Sequence, residues 1–454
     1  MNNILFLISL QNLYYYVMIK NTIIGIRRED KHMERRVPLP PQHVNRLIEE
    51  EGLDVFVQKS SKRIFSDSEY LKAGAIVTDN ISECPVIIGI KEIPEKSIEH
   101  NKTYIFFSHV IKGQPHNMGM LRKITEQKCT LIDYECITDE SGKRLIFFGK
   151  YAGYAGMINS LWAAGERYLR LGIETPFLSI KQAHTYHSLN DARLAISEVG
   201  FKIARYGLAK ELLPFTIGFT GYGNVSTGAQ EICGLLPVQE ITPQELMTLK
   251  ESGKYVNNVI YKVIFKEEDI AEPIDRNTEF ELHHYYKNPH LYKNSFEKFV
   301  PHLSILVNCM YWAPEYPRII TKDFVKSLYA EYKMPKLTVI GDITCDPNGS
   351  IEITHKATAI EDPVFVYNPD TELAENGFVG KGILVMAVDI LPSELPRESS
   401  IAFGDMLYKY IAPITTADYS VDFNSLKLPE PVKRAVIVHK GKFTPRFEYL
   451  TKFI

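Results

Sequence analysis

The sequence predicts an α/β fold with two lobes, each built around a largely parallel β-sheet. Apolar runs of strand length alternate with helical patterns through the amino-terminal part of the chain, and such alternation is typical of parallel sheets flanked by helices. Further along, an apolar strand, a glycine-rich turn and a helix follow one another. The chain has 454 residues, 45% of them hydrophobic, and it can therefore bury two or three cores of ordinary size.

The first lobe is predicted from consecutive short segments. Short apolar runs, which we interpret as strands, alternate with segments that have the apolar spacing of helices. In chain order the segments are "TIIGI", "QHVNRLIEEEG", "LDVFVQ", "SEYLKAGAIV", "CPVIIGIK" and "KTYIFFSH".

Two of these strands end on residues that can hold or move a proton. "VIIGIKEIPE" places Lys91 after one strand, and "TYIFFSHVIKGQ" places His109 after the next. A third strand, in "GIRRE", ends on Arg27 and Arg28. Ligands of open α/β sheets bind outside the carboxyl ends of the strands. These ends therefore predict a ligand crevice, and the alternative for each residue alone is a solvated strand end.

A nucleotide-binding turn is predicted in "LPFTIGFTGYGNVSTGAQEICGLLP". An apolar strand runs into Gly221 and Gly223, and a helical pattern follows, which is the context that a dinucleotide fingerprint requires. Gly221 allows the tight turn, and Gly223 lets the backbone approach a pyrophosphate at the helix N-terminus, beside Asn224 and Val225. Ser226 stands where the third glycine of the fingerprint is expected, and the alternative is a plain tight turn.

Further cofactor contacts are expected at the ends of other strands of this lobe. An acidic residue for the ribose is expected roughly 20 residues after the glycines, and Glu240 lies close to that spacing. If Glu240 points inward it favours NAD, and if it points away NADP remains possible. "HLSILVNCMYW" ends with Asn308 and Tyr311, and "KLTVIGDITCDPNGS" ends with Asp342 and Asp346.

The order of the motifs predicts the domain boundaries. Residues 1–19 are expected to lie outside the fold, because their apolar stretch is interrupted and too short to span a bilayer. Two helical stretches lead through residues 156–194 into a nucleotide-binding lobe at 195–369. The first lobe occupies 20–155 and 370–454, and "GILVMAVDILPSELPRESS" is the stretch where the chain is expected to return to it. Both lobes are expected to be Rossmann-like, with the ligand cleft between them.

Composition excludes several other classes of protein. A net charge of −3 without a long run of one sign does not predict binding to nucleic acid or to a membrane. The cysteines are widely spaced and form no C-x-x-C motif, so we expect reduced thiols, no metal site and no disulfide framework. We expect a cytoplasmic protein, with the mitochondrial matrix as the alternative, because the amino-terminal stretch lacks the arginines of a presequence.

The motifs together resemble the lysine-forming saccharopine dehydrogenase family. The likeness is greatest to the lysine-ketoglutarate reductase half of the bifunctional aminoadipic semialdehyde synthases, whose fold is shared with alanine dehydrogenase and transhydrogenase. It rests on "GIRREDKHMERRVPLPP", "IIGIKEIPE", "FFSHVIKGQ", "LIDYECITDESGKRLIFFGKYAGYAGMIN", "FTGYGNVSTGAQ", "VNCMYW", "GDITCDPNGSIE" and "VDILPSELPRESS". A second dehydrogenase domain follows in the bifunctional enzymes, and because this chain stops after "YLTKFI" the resemblance implies only the first activity.

The resemblance implies that Lys91 and His109 are the proton-transfer residues of the reaction. Condensing L-lysine with 2-oxoglutarate and reducing the imine to saccharopine moves a proton in every step except hydride delivery. A lysine beside other cations has a lowered pKa, and histidine titrates near neutral pH without help. Which of the two is the acid and which the base is left open. Glu92 and Glu135 are implied to lie near the pair and to tune both pKa values.

The substrate has several carboxylates, so the resemblance implies a pocket that contains fixed cations. Arg36 is the implied substrate arginine, and its planar fork suits a bidentate contact with a carboxylate. Asp346 is implied to hold the cationic amine of the substrate. The weaker candidates for substrate binding are Lys31, Lys112, Gln114 and Arg144.

The resemblance also implies the cofactor and leaves two other functions open. The bifunctional reductases use NADP(H), which is therefore the first expectation, and Glu240 keeps NAD(H) as a close alternative. The other functions are an alanine dehydrogenase-like amino-acid dehydrogenase and a catalytically silent nucleotide-binding protein. The presence of Lys91, His109, Arg36 and the glycine turn in one chain disfavours the silent protein.

Overall fold

The structure is a computed structural model, and it describes residues 22–454. The prediction that residues 1–19 lie outside the fold concerns residues outside this range. The described chain divides into two compact units. The first unit contains the described residues up to Phe148 together with Pro396–Ile454, and the second unit is Gly149–Leu395.

Many of the strands fall at apolar runs that the sequence singles out, but the apolar strands Ile260–Phe265, Val364–Asn368 and Val436–His439 were not predicted. Because most of them are buried on both faces of a sheet, they read as continuous apolar runs rather than as alternating patterns. In chain order they are β1 Ile23–Ile26, β2 Asp54–Gln58, β3 Ile76–Thr78, β4 Val86–Ile88, β5 Thr103–Phe106, β6 Thr130–Asp133, β7 Thr216–Thr220, β8 Val238–Glu240, β9 Ile260–Phe265, β10 Ala271–Pro273, β11 Tyr292–Asn294, β12 Ile305–Asn308, β13 Val339–Asp342, β14 Val364–Asn368, β15 Leu373–Asn376, β16 Ile383–Met386, β17 Val436–His439 and β18 Lys442–Phe443.

Several helices begin and end at residues that favour helix termini. Ser66 and Glu69 form a capping box at one start, Thr242 and Glu245 form another, and Gly52 ends the first helix with a left-handed φ of 65°. The helices are α1 Pro41–Glu51, α2 Asp67–Lys72, α3 Pro115–Glu126, α4 Gly149–Arg170, α5 Leu189–Tyr206, α6 Asn224–Cys233, α7 Pro243–Ser252, α8 Glu267–Ile270, α9 Leu282–Lys287, α10 Lys322–Glu331, α11 Pro396–Thr416 and α12 Glu430–Lys433.

The first unit is organised around an eight-stranded sheet with the order β18-β17-β6-β5-β4-β1-β2-β3. The strands from β6 to β3 are parallel, and β17 and β18 extend one edge antiparallel. Ile24, Ile88 and Ile105 are buried in this sheet, and Phe403 and Leu407 of α11 belong to the same core. The carboxyl-terminal segment therefore helps to complete the first unit.

The second unit contains another eight-stranded sheet, with the order β15-β14-β16-β13-β12-β7-β9-β8. The strands from β16 to β8 are parallel, and β14 and β15 are antiparallel. Its core includes Val263, Leu306 and Ile340 of the sheet, with Leu246 and Val325 from the flanking helices. Two largely parallel α/β sheets confirm the predicted fold class.

The units differ from the predicted lobes at both boundaries. The whole of α4 belongs to the second unit, and the return to the first unit occurs at Pro396 rather than near residue 370. The reason is pairing, since β16 lies parallel to β13 and β14 pairs with β16. The apolar run "GILVMAV" therefore completes the second sheet.

Two observations limit other kinds of site in the described part of the chain. No helix within residues 22–454 is long and apolar enough to cross a membrane. In the same range no group of three or more histidine, cysteine, aspartate or glutamate side chains is arranged to hold a metal ion. The six cysteines are all buried and unpaired in the structure.

Candidate active site

Neighbouring strands bring Lys91 and His109 to the same edge of the first sheet. β4 and β5 are parallel, with Val86 opposite Thr103 and Ile88 opposite Ile105. The pairing continues past the strand ends, because the amide of Phe107 donates to the carbonyl oxygen of Ile90 at 2.9 Å. The two proton-transfer candidates therefore follow adjacent strand ends, as the sequence predicts.

Glu92, which follows Lys91 in the chain, forms a hydrogen bond with His109. Nδ1 of His109 and the Glu92 carboxylate form a short hydrogen bond. Burial would raise the pKa of Glu92, but the hydrogen bond and charge of His109, together with the charge of Lys91, lower it to about 2. His109 has a φ of 48°, a left-handed conformation that is uncommon outside glycine and frequent at functional sites. We call Lys91, Glu92 and His109 the acid–base cluster.

The amine of Lys91 lies in a buried, positively charged environment. Burial lowers its pKa, and the charge of Arg36 lowers it further, with a smaller contribution from Lys31. Glu92 and Glu34 act in the opposite direction. An amine whose pKa is lowered in this way can be neutral for a larger fraction of the time and can accept a proton.

Glu29 holds the backbone of the acid–base cluster, and sequence reasoning missed it. Its carboxylate accepts the amide of Ile90 at 2.7 Å and the amide of Lys91 at 3.0 Å. Burial raises the pKa of Glu29 to about 7, against the opposing charge of Arg27. The sequence did contain a sign of this role, because Glu29 is a carboxylate within the basic run "GIRREDK". A cation that becomes buried needs such a partner.

Arg36 is buried, but its predicted bidentate contact is already made within the protein. Its Nε donates to Glu34 Oε1 at 2.8 Å and its Nη2 donates to Glu34 Oε2 at 2.6 Å. The guanidinium also lies 4.2 Å from the centre of the Phe148 ring. A substrate carboxylate would therefore have to approach Nη1 and the second hydrogen of Nη2, an edge that donates to no residue in the range 22–454. Glu34 was not singled out from the sequence.

The other predicted substrate residues of the first unit occupy different positions. Gln114 precedes α3, and its buried Oε1 accepts no hydrogen bond from the described residues, so it is suited to a ligand donor. Arg144 forms an ion pair with Glu135 rather than with the acid–base cluster. Lys112 is exposed, and Asp346 is exposed in the second unit. The substrate-binding roles of these residues stay predictions.

The glycine turn has the geometry that a nucleotide site requires. Gly221 has a φ of 78°, and its amide donates to the carbonyl oxygen of Phe265 at 2.9 Å. Gly223 precedes α6, and a Cβ placed on it would meet no atom within 4 Å. An open approach to the N-terminus of a helix is what a pyrophosphate needs. The residues present therefore fit a dinucleotide, with Asn224 and Val225 opening the helix.

The close packing of α6 depends on other residues than Ser226, which stands at the third glycine position of the fingerprint. Ser226 is buried and accepts a hydrogen bond from Gln230 at 2.9 Å. The helix crossing is formed instead by Gly153 of α4 and Gly228 of α6. A Cβ on Gly153 would overlap the carbonyl oxygen of Val225, and one on Gly228 would overlap the backbone of α4. The signal was the "YAGYAG" stretch, whose small residues permit close helix contact.

The strand order changes the interpretation of Glu240. β8, which ends at Glu240, is the edge strand, and β9 lies between β8 and β7. The residue that follows the strand beside the glycine turn is therefore Lys266. The Glu240 carboxylate pairs with Lys262 at 2.7 Å. Both Glu240 and Lys266 line one open pocket of about 800 Å³, next to Tyr222.

Asn308 and Asp342 form an internal hydrogen-bond network. Asn308 Nδ2 donates to Asp342 Oδ1 at 2.8 Å, and Asn308 Oδ1 accepts from Thr220 at 2.7 Å. Asp342 also accepts from Thr354 and from the amide of Cys345. These polar groups connect the ends of β7, β12 and β13. Their predicted contacts with a cofactor, and that of the exposed Tyr311, stay predictions.

Replacing Asp342 by asparagine should make stability less dependent on pH. Burial raises the pKa of Asp342 from 3.8 to about 6, so the native state binds a proton more tightly than the unfolded state. The resulting stability is complete below pH 3.8 and is lost as the pH rises through about 6. In the variant this loss, of the order of 3 kcal/mol, should disappear. Urea unfolding from about pH 4 to pH 7 measures it.

Asp54→Asn serves as the control, because Asp54 is exposed at the start of β2 in the first unit, away from the Asn308–Asp342 network. An unchanged pH slope in Asp342→Asn would contradict the prediction. A large change in nucleotide affinity at constant stability would instead support the predicted cofactor contact of Asp342.

Two family models match the chain. The model described as "Alanine dehydrogenase/PNT, N-terminal domain" matches residues 25–155, and "Alanine dehydrogenase/PNT, C-terminal domain" matches residues 269–446. Solved structures agree at the level of fold. An L-alanine dehydrogenase superposes with a TM-score of 0.59 at 16% identity, covering 95% of this chain and 99% of that one. A transhydrogenase from Sinorhizobium meliloti gives 0.57 at 15%, covering 93% and 100%.

Curated relatives are more similar in sequence. Alpha-aminoadipic semialdehyde synthase of Arabidopsis thaliana is 39% identical over 95% of this chain and 41% of its own length. The mitochondrial enzyme of that name from Bos taurus is 37% identical over 95% of this chain and 48% of its own length. This chain thus spans less than half the length of these two relatives.

A shorter relative matches along most of its length. The Neurospora crassa saccharopine dehydrogenase (NAD(+), L-lysine-forming) is 28% identical over 84% of this chain and 88% of its own length. The resemblance predicted from the motifs is confirmed. The two matched domains together account for more than half of the residues, and the chain belongs to the alanine dehydrogenase/PNT family.

Proposed function

We propose that this protein condenses L-lysine with 2-oxoglutarate and reduces the resulting imine to saccharopine, and that it also catalyses the reverse reaction. The observation that carries the proposal is the acid–base cluster, in which His109 forms a hydrogen bond with Glu92 and the charge of the same carboxylate acts on Lys91 at the adjacent strand end. Relatives named for the synthase and for the lysine-forming dehydrogenase support the choice of substrates.

The chemistry explains why two proton carriers are required. The ε-amine of lysine must lose a proton before it attacks the ketone carbon, and the carbinolamine oxygen must gain one before it leaves as water. A nicotinamide cofactor then supplies the hydride. Lys91 and His109 carry these protons, and Glu92 holds the imidazole through Nδ1 so that Nε2 can face the reacting atoms.

The cations of the first unit are proposed to bind the substrate carboxylates. Arg36 offers the guanidinium edge that Glu34 does not use, and Lys31 lies close enough to Lys91 to affect its pKa. The unpartnered Oε1 of Gln114 can accept a hydrogen bond from a substrate ammonium group. These three side chains would orient the substrate without taking part in the chemical steps.

The decisive assay is cofactor oxidation by the purified protein. NADPH or NADH should be consumed only when L-lysine and 2-oxoglutarate are both present, with saccharopine as the product. Consumption with pyruvate and ammonia instead would favour an alanine dehydrogenase-like function. Absence of turnover with either pair, in protein that binds nucleotide, would favour a silent nucleotide-binding protein.

We propose NADP(H) as the preferred cofactor, with NAD(H) as the alternative. The argument is that Lys266, a cation, follows the strand beside the glycine turn, where an acid would select the unmodified ribose. The charge of Glu240 is partly offset by Lys262. A 2′-phosphate in the pocket lined by Lys266 would gain a charge-assisted hydrogen bond from that side chain, against the charges of Glu240, Glu245, Glu268 and Asp269, which line the same pocket. The cytoplasmic location stays a prediction.

Removing the positive charge of Lys266 and removing the negative charge of Glu240 should change the cofactor preference in opposite directions. Lys266→Ala should lower kcat/KM for NADPH by roughly 10- to 100-fold and leave that for NADH nearly constant, because one charge-assisted hydrogen bond is lost. Glu240→Gln should raise the NADPH to NADH ratio. Lys254→Ala, at an exposed position after α7, is the control. Equal losses for both cofactors in Lys266→Ala would contradict the proposed phosphate contact.

A further inference from the structure

A second cavity lies at the edge of the second sheet opposite the glycine turn. It is bordered by Thr216, Ser304 and Thr338, which begin or precede β7, β12 and β13. The glycine turn and the Asn308–Asp342 network lie at the other ends of these strands. With a rise of about 3.3 Å per residue, the two edges are roughly 15 Å apart. The cavity is therefore separate from the proposed nucleotide site.

The walls of the cavity are mainly apolar. Leucines from three separate segments, Leu212, Leu246 and Leu328, contribute to them. The enclosed volume is about 200 Å³, and an engineered cavity of about 150 Å³ in another protein holds benzene. Exposed Glu211 and Lys250 are among the lining residues, and they place the opening toward solvent. The space suits a single ring or a short branched chain.

One lysine supplies a polar group to this apolar space. Lys336 is largely buried, and its Nζ donates to the carbonyl oxygen of His302 at 2.8 Å. An ammonium group has three donors, and within residues 22–454 Nζ makes no other hydrogen bond and no ion pair with a carboxylate. Burial lowers the pKa of Lys336 to about 7, and the charge of Lys250 adds to the effect. A buried amine without a counter-ion is costly.

The other titratable groups around Lys336 do not neutralise it. Burial lowers the pKa of His302, as do the charges of Lys336 and Lys250, against a smaller opposing effect of Glu251. Glu211 is exposed at the opening. The cavity therefore combines an apolar body with an unmatched cationic donor at one wall.

The geometry points to a binding site for a small monocarboxylate with a compact apolar body, of the benzoate or phenylacetate kind, whose carboxylate pairs with Nζ of Lys336. The apolar part would occupy the space between the leucines, and the carboxylate would complete the hydrogen bonding of the ammonium group. Binding at this edge is independent of lysine, 2-oxoglutarate and the nucleotide, so the site goes beyond the proposed reaction.

Calorimetric titration of the full chain with phenylacetate tests the site. Saturable binding with one equivalent is expected, and 2-phenylethanol, which has a similar body and no charge, should bind about 10- to 100-fold more weakly. At pH 8, titrations in buffers of different ionisation enthalpy should show uptake of about one proton, because the carboxylate favours the ammonium form of Lys336. Acetate, which lacks the apolar body, should bind poorly.

Lys336→Met and Lys333→Met provide the matched pair. Lys333 is exposed three positions earlier, and its variant should bind phenylacetate like the parent. Lys336→Met should lose the preference for the acid over the alcohol and should melt no lower than the parent, because an apolar side chain replaces a buried amine. The proposal is overturned by absence of phenylacetate binding in the parent. It is also overturned by binding that Lys336→Met leaves unchanged, since the ligand would then lie elsewhere.

Discussion

Lys91→Met should lower kcat by roughly 10²- to 10⁴-fold, the usual size of a general acid–base contribution. Methionine keeps the length and apolar stem of the side chain and removes only the proton carrier. Nucleotide affinity should hardly change, because the residues proposed to bind the nucleotide belong to the other unit. Steady-state rates for lysine, 2-oxoglutarate and NADPH measure kcat, and fluorescence titration measures the nucleotide dissociation constant.

His109→Gln should have a similar effect on kcat, and the pH profile should distinguish the two residues. A bell-shaped profile of kcat/KM reports one essential acid and one essential base. Each variant should lose the limb of the group that it removes, which assigns the roles. The double variant should lose much less than the product of the single effects, because residues that act as one unit are not additive.

Two nearby substitutions control for general disturbance of these loops. Lys96→Met and His100→Gln change exposed residues of the same types in the segment between β4 and β5, and both should keep parental rates. If Lys91→Met and His109→Gln also keep the parental kcat and both limbs of the profile, the cluster is structural and the proposed reaction loses its proton carriers.

The sequence predicted that Lys91 and His109 follow neighbouring strand ends, because the information for each strand is local. Lys91 and His109 follow apolar runs that are strands in the structure, and parallel pairing of those strands brings their ends together. The carboxylates that surround the cluster depend on longer-range contacts. Glu29 reaches the amides of Ile90 and Lys91 across more than sixty positions of the chain, and no local pattern encodes such a partner.

The interpretation of Glu240 shows a limit of spacing arguments. Counting from the glycines assumes that the next strand in the chain is also the next strand in the sheet. Here β9 lies beside β7, and β8 forms the edge, so Lys266 takes the position that counting assigned to Glu240. β9 is a longer and mostly buried apolar strand, whereas β8 is short and mostly exposed, so burial of apolar surface favours β9 at the inner position. Counting residues from the glycines does not take this difference into account.

Gly153→Ala should be strongly destabilising. A Cβ at this position would overlap the carbonyl oxygen of Val225 and lie 2.7 Å from the amide nitrogen of Ala229. Both atoms belong to the backbone of α6, so no side chain can rotate away and the helices must separate. Overpacking commonly costs about 1–3 kcal/mol and occasionally more, whereas alanine gains about 1 kcal/mol of helix propensity over glycine. Because both overlapped atoms are backbone atoms, we expect the overpacking cost at the upper end of this range, which leaves a net loss of about 2 kcal/mol in the free energy of unfolding.

Gly223→Ala separates the stability of α6 from its role in binding. A Cβ on Gly223 meets no protein atom within 4 Å, so the substitution causes no steric overlap, and alanine as a poorer N-cap than glycine costs at most about 1 kcal/mol. The urea midpoint of this variant should therefore fall only slightly, while its nucleotide affinity should fall by at least about 10-fold if the backbone there approaches the pyrophosphate. In Gly153→Ala the effect on stability should be the larger one. Its urea midpoint should fall, and the fraction that remains folded should lose less nucleotide affinity than Gly223→Ala does. A Gly153→Ala protein as stable as the parent would mean that α4 and α6 can separate without cost, and the glycine contact would then have no part in holding the nucleotide helix.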